Sequence, residues 1–331
     1  MALKFLKFNM EENNLSIVIP TYRREKQIIQ ILDNLNNQIV DNVFLEVNIC
    51  DSYSNYKNHI FQNYKKNINI KYFNIKDNIL SSKRNFGILK SSHKKIILLD
   101  DDCMPCQNFI MSYLQDFSNI TEEVILSGTV YYPEDYIKKN NHIRFKQSRH
   151  FTSKDIVKNK QLQPDKIVAM NMGFINSKKI QSIGLFNENF KGYGFEDYEF
   201  GYRYLSNGFK LQQSHAAIIH DEGYPEINNY IKKYYYLGKS GMENLLLINF
   251  QAAKKTIFYK LESNLLFKMI IKIYKIKKIL SLIEKIISKL DKFDKVYIPF
   301  VFNFLRLAAY TRGCIDRNIT NIKLKQNNWY E

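Results

Sequence analysis

Lys95-Ile96-Ile97-Leu98-Leu99-Asp100-Asp101-Asp102 reads as a short, fully buried strand that runs directly into three adjacent carboxylates. The same pattern recurs upstream. An apolar strand over residues 15–20 ends in Pro20-Thr21-Tyr22-Arg23, after which Ile28, Ile29, Ile31, Leu32 and Leu35 recur at helical spacing. A second strand over 44–50 is closed by the polar loop Asp51-Ser52-Tyr53-Ser54-Asn55, and a third covers 68–73. Residues 81–90 read as a helix with Ser81 or Ser82 near its cap. Strands alternating with helices predict an α/β fold with a mostly parallel central sheet flanked by helices. In such a sheet ligands bind beyond the carboxyl ends of the strands, and the three polar clusters fall at those ends.

Downstream the pattern thins. Strands are expected over 124–131 and 168–175, and a charged stretch over 138–160 reads as a loop or mobile lid able to close over a ligand. A further apolar run over 216–219 ends at His220-Asp221-Glu222. From about residue 227 the chain is helical and lysine-rich to about 295, followed by an apolar segment over 301–310 and a polar tail.

Composition narrows the partners. The 331 residues are 45% hydrophobic, as in a globular chain, and carry a net charge of +17. Residues 251–300 hold twelve Lys and no Arg against four acids, a distribution that suits an anionic membrane surface. No zinc-finger or aromatic RNA-binding signature accompanies it, so no nucleic-acid partner is expected. In residues 257–290, Leu261, Leu265, Ile270, Ile273, Ile276, Ile279, Ile283 and Ile286 stand among Lys268, Lys272, Lys275, Lys277, Lys278, Lys285 and Lys289. That segment reads either as a basic amphipathic surface for a membrane or as a helical cap with a solvated lysine face. Cys50, Cys103, Cys106 and Cys314 are too few and scattered for a disulfide framework; the Cys103–Cys106 pair lacks zinc partners and reads as ordinary thiols. With no signal peptide and no apolar run of about 18 residues, the expected location is cytoplasmic, either free or peripheral on the inner face of the cytoplasmic membrane.

Two constellations carry chemistry. Asp100, Asp101 and Asp102 repel one another unless a cation neutralises them, and hard Mg²⁺ or Mn²⁺ fits that requirement; a solvated turn is the alternative. Gly192-Tyr193-Gly194-Phe195-Glu196-Asp197 delivers two acids to a helix start, beside aromatic faces suited to a sugar ring. An ionised carboxylate there can take a proton from an attacking hydroxyl, or both acids can simply stabilise the helix. His220, at a strand end, is either a structural histidine or the completion of a carboxylate metal site. Arg84 can neutralise a phosphate, hold an acid of the same loops, or lie on the surface. There is no glycine-rich phosphate loop of the kind a nucleotidyl or phosphoryl transferase would use.

In order, Ile17-Val18-Ile19-Pro20-Thr21-Tyr22-Arg23, Asp51, Lys83-Arg84-Asn85-Phe86-Gly87, Leu99-Asp100-Asp101-Asp102 and Gly192–Arg203 resemble inverting family 2 glycosyltransferases of the A-type fold. The acidic motif is similar to that of chondroitin-polymerase-type enzymes and of galactosyltransferase and N-acetylgalactosaminyltransferase catalytic domains. The resemblance covers about residues 15–225. It implies a catalytic domain over 1–226, with a nucleotide-binding half at about 15–105 and an acceptor half at about 106–226, followed by a helical region over 227–331. Pro20, Thr21 and Arg23 would border the nucleotide, Asp51 would bond its uracil, and Arg84 would help hold the base or ribose side. Asp100 would lie near the ribose and Asp101 in the donor site. Asp102 and His220 would bind Mn²⁺ or Mg²⁺. Asp197 would be the general base and Glu196 a sugar contact. The donor would be a UDP-sugar carrying a hexose or N-acetylhexosamine, and the acceptor a saccharide or lipid-linked hydroxyl in surface polysaccharide or lipo-oligosaccharide synthesis. Tyr193 and Phe195 stand where the family usually has Trp and a second Gly. The competing readings are a nucleic-acid-binding protein and a non-catalytic scaffold, both using the basic C-terminal helices.

Overall fold

A computed structural model describes residues 13–40, 42–53, 64, 66–150, 161–223, 225–273, 275–293 and 297–319. The first half runs β1 (Asn14–Thr21), α1 (Glu25–Gln38), β2 (Phe44–Asp51), β3 (Ile68–Asn74), α2 (Leu80–Lys90), β4 (Lys95–Leu99), β5 (Cys103–Pro105), α3 (Phe109–Ser118) and β6 (Val124–Tyr131). It continues through α4 (Glu134–Lys139), α5 (Asn141–Gln147), β7 (Asn171–Ile175), α6 (Lys178–Ile183), α7 (Glu196–Ser206) and β8 (Lys210–His220). Then come α8 (Ile227–Tyr236), a π-helical turn over Leu237–Gly241, α9 (Met242–Ile248), α10 (Phe250–Lys255), α11 (Ile257–Ser263), α12 (Leu265–Ile270), α13 (Ile276–Leu290) and α14 (Pro299–Ile319).

The strands form one eight-stranded sheet in the order β3-β2-β1-β4-β7-β6-β8-β5. β3, β2, β1 and β4 are mutually parallel, as are β6 and β8, whereas β7 runs against β4 and β6, and β5 against β8. The expected α/β sheet flanked by helices, with a helical C-terminal region, is therefore present. Residues 17–19 of β1 and 96–99 of β4 are wholly buried, because helices cover both sheet faces and leave no polar side for alternation. Helix α1 turns Ile28, Ile31, Leu32 and Leu35 onto one face. Helix α2 lies so close to β1 that a Cβ at Gly87 would stand 2.3 Å from Val18 Cγ1. This contact sets α2 beside the carboxyl ends of the strands.

Two expectations are corrected. Neither Ser81 nor Ser82 caps α2: Ile79 is the N-cap residue, without a side-chain bond, and both serines lie inside the helix. Residues 141–147 are a helix, not a loop; their polar residues conceal the periodicity because Asn141 and His142 are themselves buried. There, His142 Nδ1 stands 2.7 Å from Asp291 Oδ2. Residues 151–160 of the expected lid lie outside the described residues. The amphipathic segment over 257–290 is helical as expected and comprises α11, α12 and α13, with Asn264 capping α12 through its side chain. Among the described residues no helix is long and apolar enough to cross a membrane.

Candidate active site

Thr21 at the end of β1 pairs in register with Asp51 at the end of β2, and Asp100 follows β4 on the other side of β1. Pro20, Thr21, Tyr22, Arg24, Asn78, Leu80, Lys83 and Asp100 to Asp102 line one cleft over these ends. Arg84 meets Asp100, Arg24 meets both Asp101 and Asp102, and His220 adjoins Asp102, which is how the fold tolerates the three aspartates side by side.

Asp100 is held by Arg84, whose Nη2 donates to both its oxygens at 2.9 and 3.1 Å. Asp101 accepts from Thr21 Oγ1 at 2.8 Å and Arg24 Nη1 at 3.2 Å; burial pushes its carboxyl up to about 7 against the pull of Arg24. Asp102 lies 3.0 Å from Arg24 Nη1 and 3.4 Å from His220 Nε2. Burial would raise its pKa, but His220 and Arg24 outweigh burial and hold the carboxyl well below the usual range. His220 arrives through strand pairing: Cys103 of β5 is in register with His220 of β8, and the Asp221 amide donates to the Asp102 carbonyl.

Carboxylate oxygen and imidazole nitrogen suit Mn²⁺ or Mg²⁺. Donor atoms of Asp102, Cys103 and His220 all lie within 4.8 Å of one another. Burial and the neighbouring aspartates push the Cys103 thiol well up, and among the three the Asp102 oxygen and the His220 nitrogen are the donors that suit a hard Mn²⁺ or Mg²⁺. His220 Nδ1 is buried without a hydrogen-bond partner. Its other nitrogen, between Asp102 and Glu222 (3.5 Å), is the one that faces the acids.

The second constellation sits at the start of α7. Gly192 and Gly194 take φ of +96° and +103° and Phe195 follows at +74°, a left-handed path that turns the chain into the helix at Glu196. Asp197 Oδ2 accepts from the Ala169 amide at 2.9 Å, and Arg84 Nη1 lies 3.5 Å from Asp197 Oδ1 and 4.0 Å from Glu196 Oε1. Arg84 therefore joins the Asp100 cluster to the α7 acids. It is 2% exposed, so it acts on the site through these carboxylates. Burial raises both α7 acids, with their mutual repulsion adding to Glu196 and Arg84 opposing in each case.

Of the residues singled out in the sequence, Pro20, Thr21 and Asp100 to Asp102 line the cleft, with His220 and the pair Glu196 and Asp197 joined to it through Asp102 and Arg84. Asp51 is fully buried at the strand end, accepting from Tyr72 Oη at 2.8 Å and the Tyr53 amide at 2.9 Å. Arg23 does not meet the aspartates. Its φ of 56° turns the chain, and its guanidinium stands 4.9 and 4.8 Å from the Tyr22 and Tyr53 rings. The next residue, Arg24, takes the acidic contacts. Also missed were Lys83 and Glu222. Lys83 Nζ donates to the Thr21 carbonyl (2.7 Å) and Asn78 Oδ1 (2.6 Å), and burial brings its pKa down to about 8. Glu222 is paired with Lys146 of α5 and Lys233 of α8. Lys83 adjoins Arg84 and Glu222 follows His220 by two, so proximity to a motif was the available signal.

The sequence profile of the family described as Glycosyl transferase family 2 matches residues 16–179. Chondroitin synthase of Pasteurella multocida is 29% identical over 225 residues, covering 59% of this chain and 23% of that protein. Chondroitin synthase of Escherichia coli is 27% identical over 253 residues, covering 66% of this chain and 36% of that protein. The chain thus spans about a quarter to a third of the length of these relatives. Among solved structures, S. aureus TarS 1-349 in complex with UDP-GlcNAc superposes with a TM-score of 0.48 at 12% identity, covering 92% of this chain and 91% of that one.

Proposed function

We propose, because this chain belongs to the family 2 glycosyl transferases through its residues 16–179, that it moves a hexose or N-acetylhexosamine from a UDP-sugar to a saccharide hydroxyl with inversion. The observation that carries this reading is the bridge made by Arg84. It joins the strand-end aspartates, where a nucleoside diphosphate would bind, to a pair of helix-start acids placed to receive a proton. The relatives named as chondroitin synthases support a saccharide acceptor. UDP as the nucleotide rests on the resemblance of the 17–23 segment and Asp51 to inverting family 2 glycosyltransferases. Surface polysaccharide or lipo-oligosaccharide synthesis is the proposed setting, on the cytoplasmic side of the membrane.

In the proposed step the acceptor hydroxyl forms a bond to the anomeric carbon as the bond to the diphosphate oxygen breaks on the opposite face. Asp197 takes the hydroxyl proton. The Ala169 amide fixes one of its oxygens, Arg84 favours its ionised form, and burial strengthens it as a base. Glu196, with its raised proton affinity, is suited to a sugar hydroxyl. Asp102 and His220 would hold Mn²⁺ or Mg²⁺, which supplies a Lewis acid for charge appearing on the leaving diphosphate. Arg24 and Lys83, both lining the cleft, add positive charge on the phosphate side.

The test is a calorimetric titration of UDP into the protein with Mn²⁺ and again with EDTA, repeated on Asp102→Ala. Binding that requires both the metal and Asp102 is the expected result; UDP binding indifferent to both would remove the metal from the reading, and no UDP binding would overturn the donor assignment.

A further inference from the structure

The described exposed apolar residues are not spread evenly: fourteen of the twenty-three large ones fall within residues 265–307. On α13, Ile279, Leu282, Ile286 and Leu290 recur at i, i+3, i+7 and i+11 and form one exposed stripe. Leu280, Glu284 and Ile287 on another face are buried, Leu280 against Ala308 and Ile315 of α14. The stripe is thus additional to the face the fold already uses. Helix α14 repeats the arrangement with Phe300, Phe304 and Leu307 exposed while Phe302 and Leu305 are buried, and α12 exposes Leu265, Leu266 and Met269.

Charge says what covers these stripes. Residues 265–307 contain nine Lys and Arg306 against Glu284, Asp291 and Asp294. Glu284 and Asp291 are both buried and paired inward, with Arg312 and His142. Lys278, Lys285 and Lys289 are exposed and recur along α13 beside the apolar stripe. A second copy of this face would bring lysines against lysines, and a nucleic acid would leave the apolar stripe in water. Apolar side chains bordered by lysines match the acyl boundary and headgroups of an anionic bilayer.

We infer that the α12–α14 surface docks this protein on an anionic lipid membrane as a peripheral contact. The inference is independent of the donor and of the transfer chemistry. It is tested by floating the full chain with vesicles of phosphatidylcholine alone and of phosphatidylcholine with phosphatidylglycerol, at low and high salt. The parent should bind the anionic vesicles on the order of tenfold better or more, with the excess lost in high salt. Leu282→Glu with Ile286→Glu should abolish flotation while the thermal unfolding temperature and UDP binding are unchanged. Lys278→Glu with Lys285→Glu should remove only the preference for anionic lipid. Flotation of the apolar double variant like the parent, or no flotation of the parent at all, overturns the inference. So does a parent that stays with the aqueous phase but forms a dimer in light scattering that the double variant lacks, or one that binds an oligonucleotide duplex instead of vesicles.

Discussion

Asp197 owes its place to two groups far from it in sequence. The Ala169 amide holds Oδ2, and Arg84, itself wedged against Asp100, lies 3.5 Å from Oδ1. Neutralising this carboxylate while preserving its shape separates base chemistry from binding. Asp197→Asn is expected to lower transfer by about 10²- to 10⁴-fold with UDP binding within error of the parent, measured by product formation and calorimetry on the same preparation. Near-normal turnover would assign the base elsewhere, with Glu196 next in line. At this scale the sequence displayed the acids well, because three aspartates after a buried strand and two acids after a glycine-flanked turn are unusual in one chain. It did not display their cations. Whether Arg23 or Arg24 meets Asp101 depends on the positive φ at Arg23, and nothing in residue type or spacing distinguishes the two.

The central strands β1, β2 and β4 were readable because both faces are covered, so they appear as largely apolar runs; β4 and β6 match their expected bounds. Glu46 interrupts that pattern inside β2. The structure accounts for it: Glu46 Oε2 accepts from Lys71 Nζ of β3 at 2.6 Å, and Oε1 from Ser16 Oγ of β1 and from the Ser92 amide beyond α2. One carboxylate thus ties three strands to the end of a helix. Burial would raise its pKa, but Lys71, Ser92 and Ser16 outweigh burial and bring it from 4.5 to about 2. Since the folded value is the lower one, its stabilisation is fully present above pH 4.5 and fades as pH falls through about 2. Glu46→Gln should cost on the order of 2 kcal/mol at neutral pH, allowing for the partial exposure of Lys71. Urea melts across pH should show the gap to the parent closing as pH falls from 4.5 towards 2. A gap that stays constant with pH would mean Glu46 acts through packing alone. Helix α5 was illegible for a related reason: its partner Asp291 is 149 residues away, and a buried His and Asn look like a loop until that partner is in place.

Sequence pattern draws a boundary near residue 226, where strands give way to lysine-rich helices, yet the packing crosses it repeatedly. The helix carrying Glu196 and Asp197 is clamped from the C-terminal side: Tyr198 Oη donates to the Ala252 carbonyl, Asn249 Nδ2 donates to Glu199, and the Phe195 and Phe258 rings meet edge to face at 5.9 Å. Lys233 of α8 pairs with Glu222, two residues from His220. The clamp itself is tight, since a Cβ at Gly238 would stand 2.1 Å from the Tyr310 carbonyl and one at Gly313 2.0 Å from the Tyr235 carbonyl. Removing residues 227–331 would uncover Phe190, Phe195, Tyr198 and Tyr202, which share a cluster with Leu237, Met242 and Tyr310, and would leave Glu222 without Lys233. The two parts are therefore expected to melt together. Calorimetry of the full chain should give a single transition whose calorimetric and van't Hoff enthalpies agree. A fragment of residues 1–226 should show no cooperative melt and no UDP binding. A fragment that melts sharply and binds UDP would instead make the C-terminal helices an accessory, leaving membrane docking as their whole contribution.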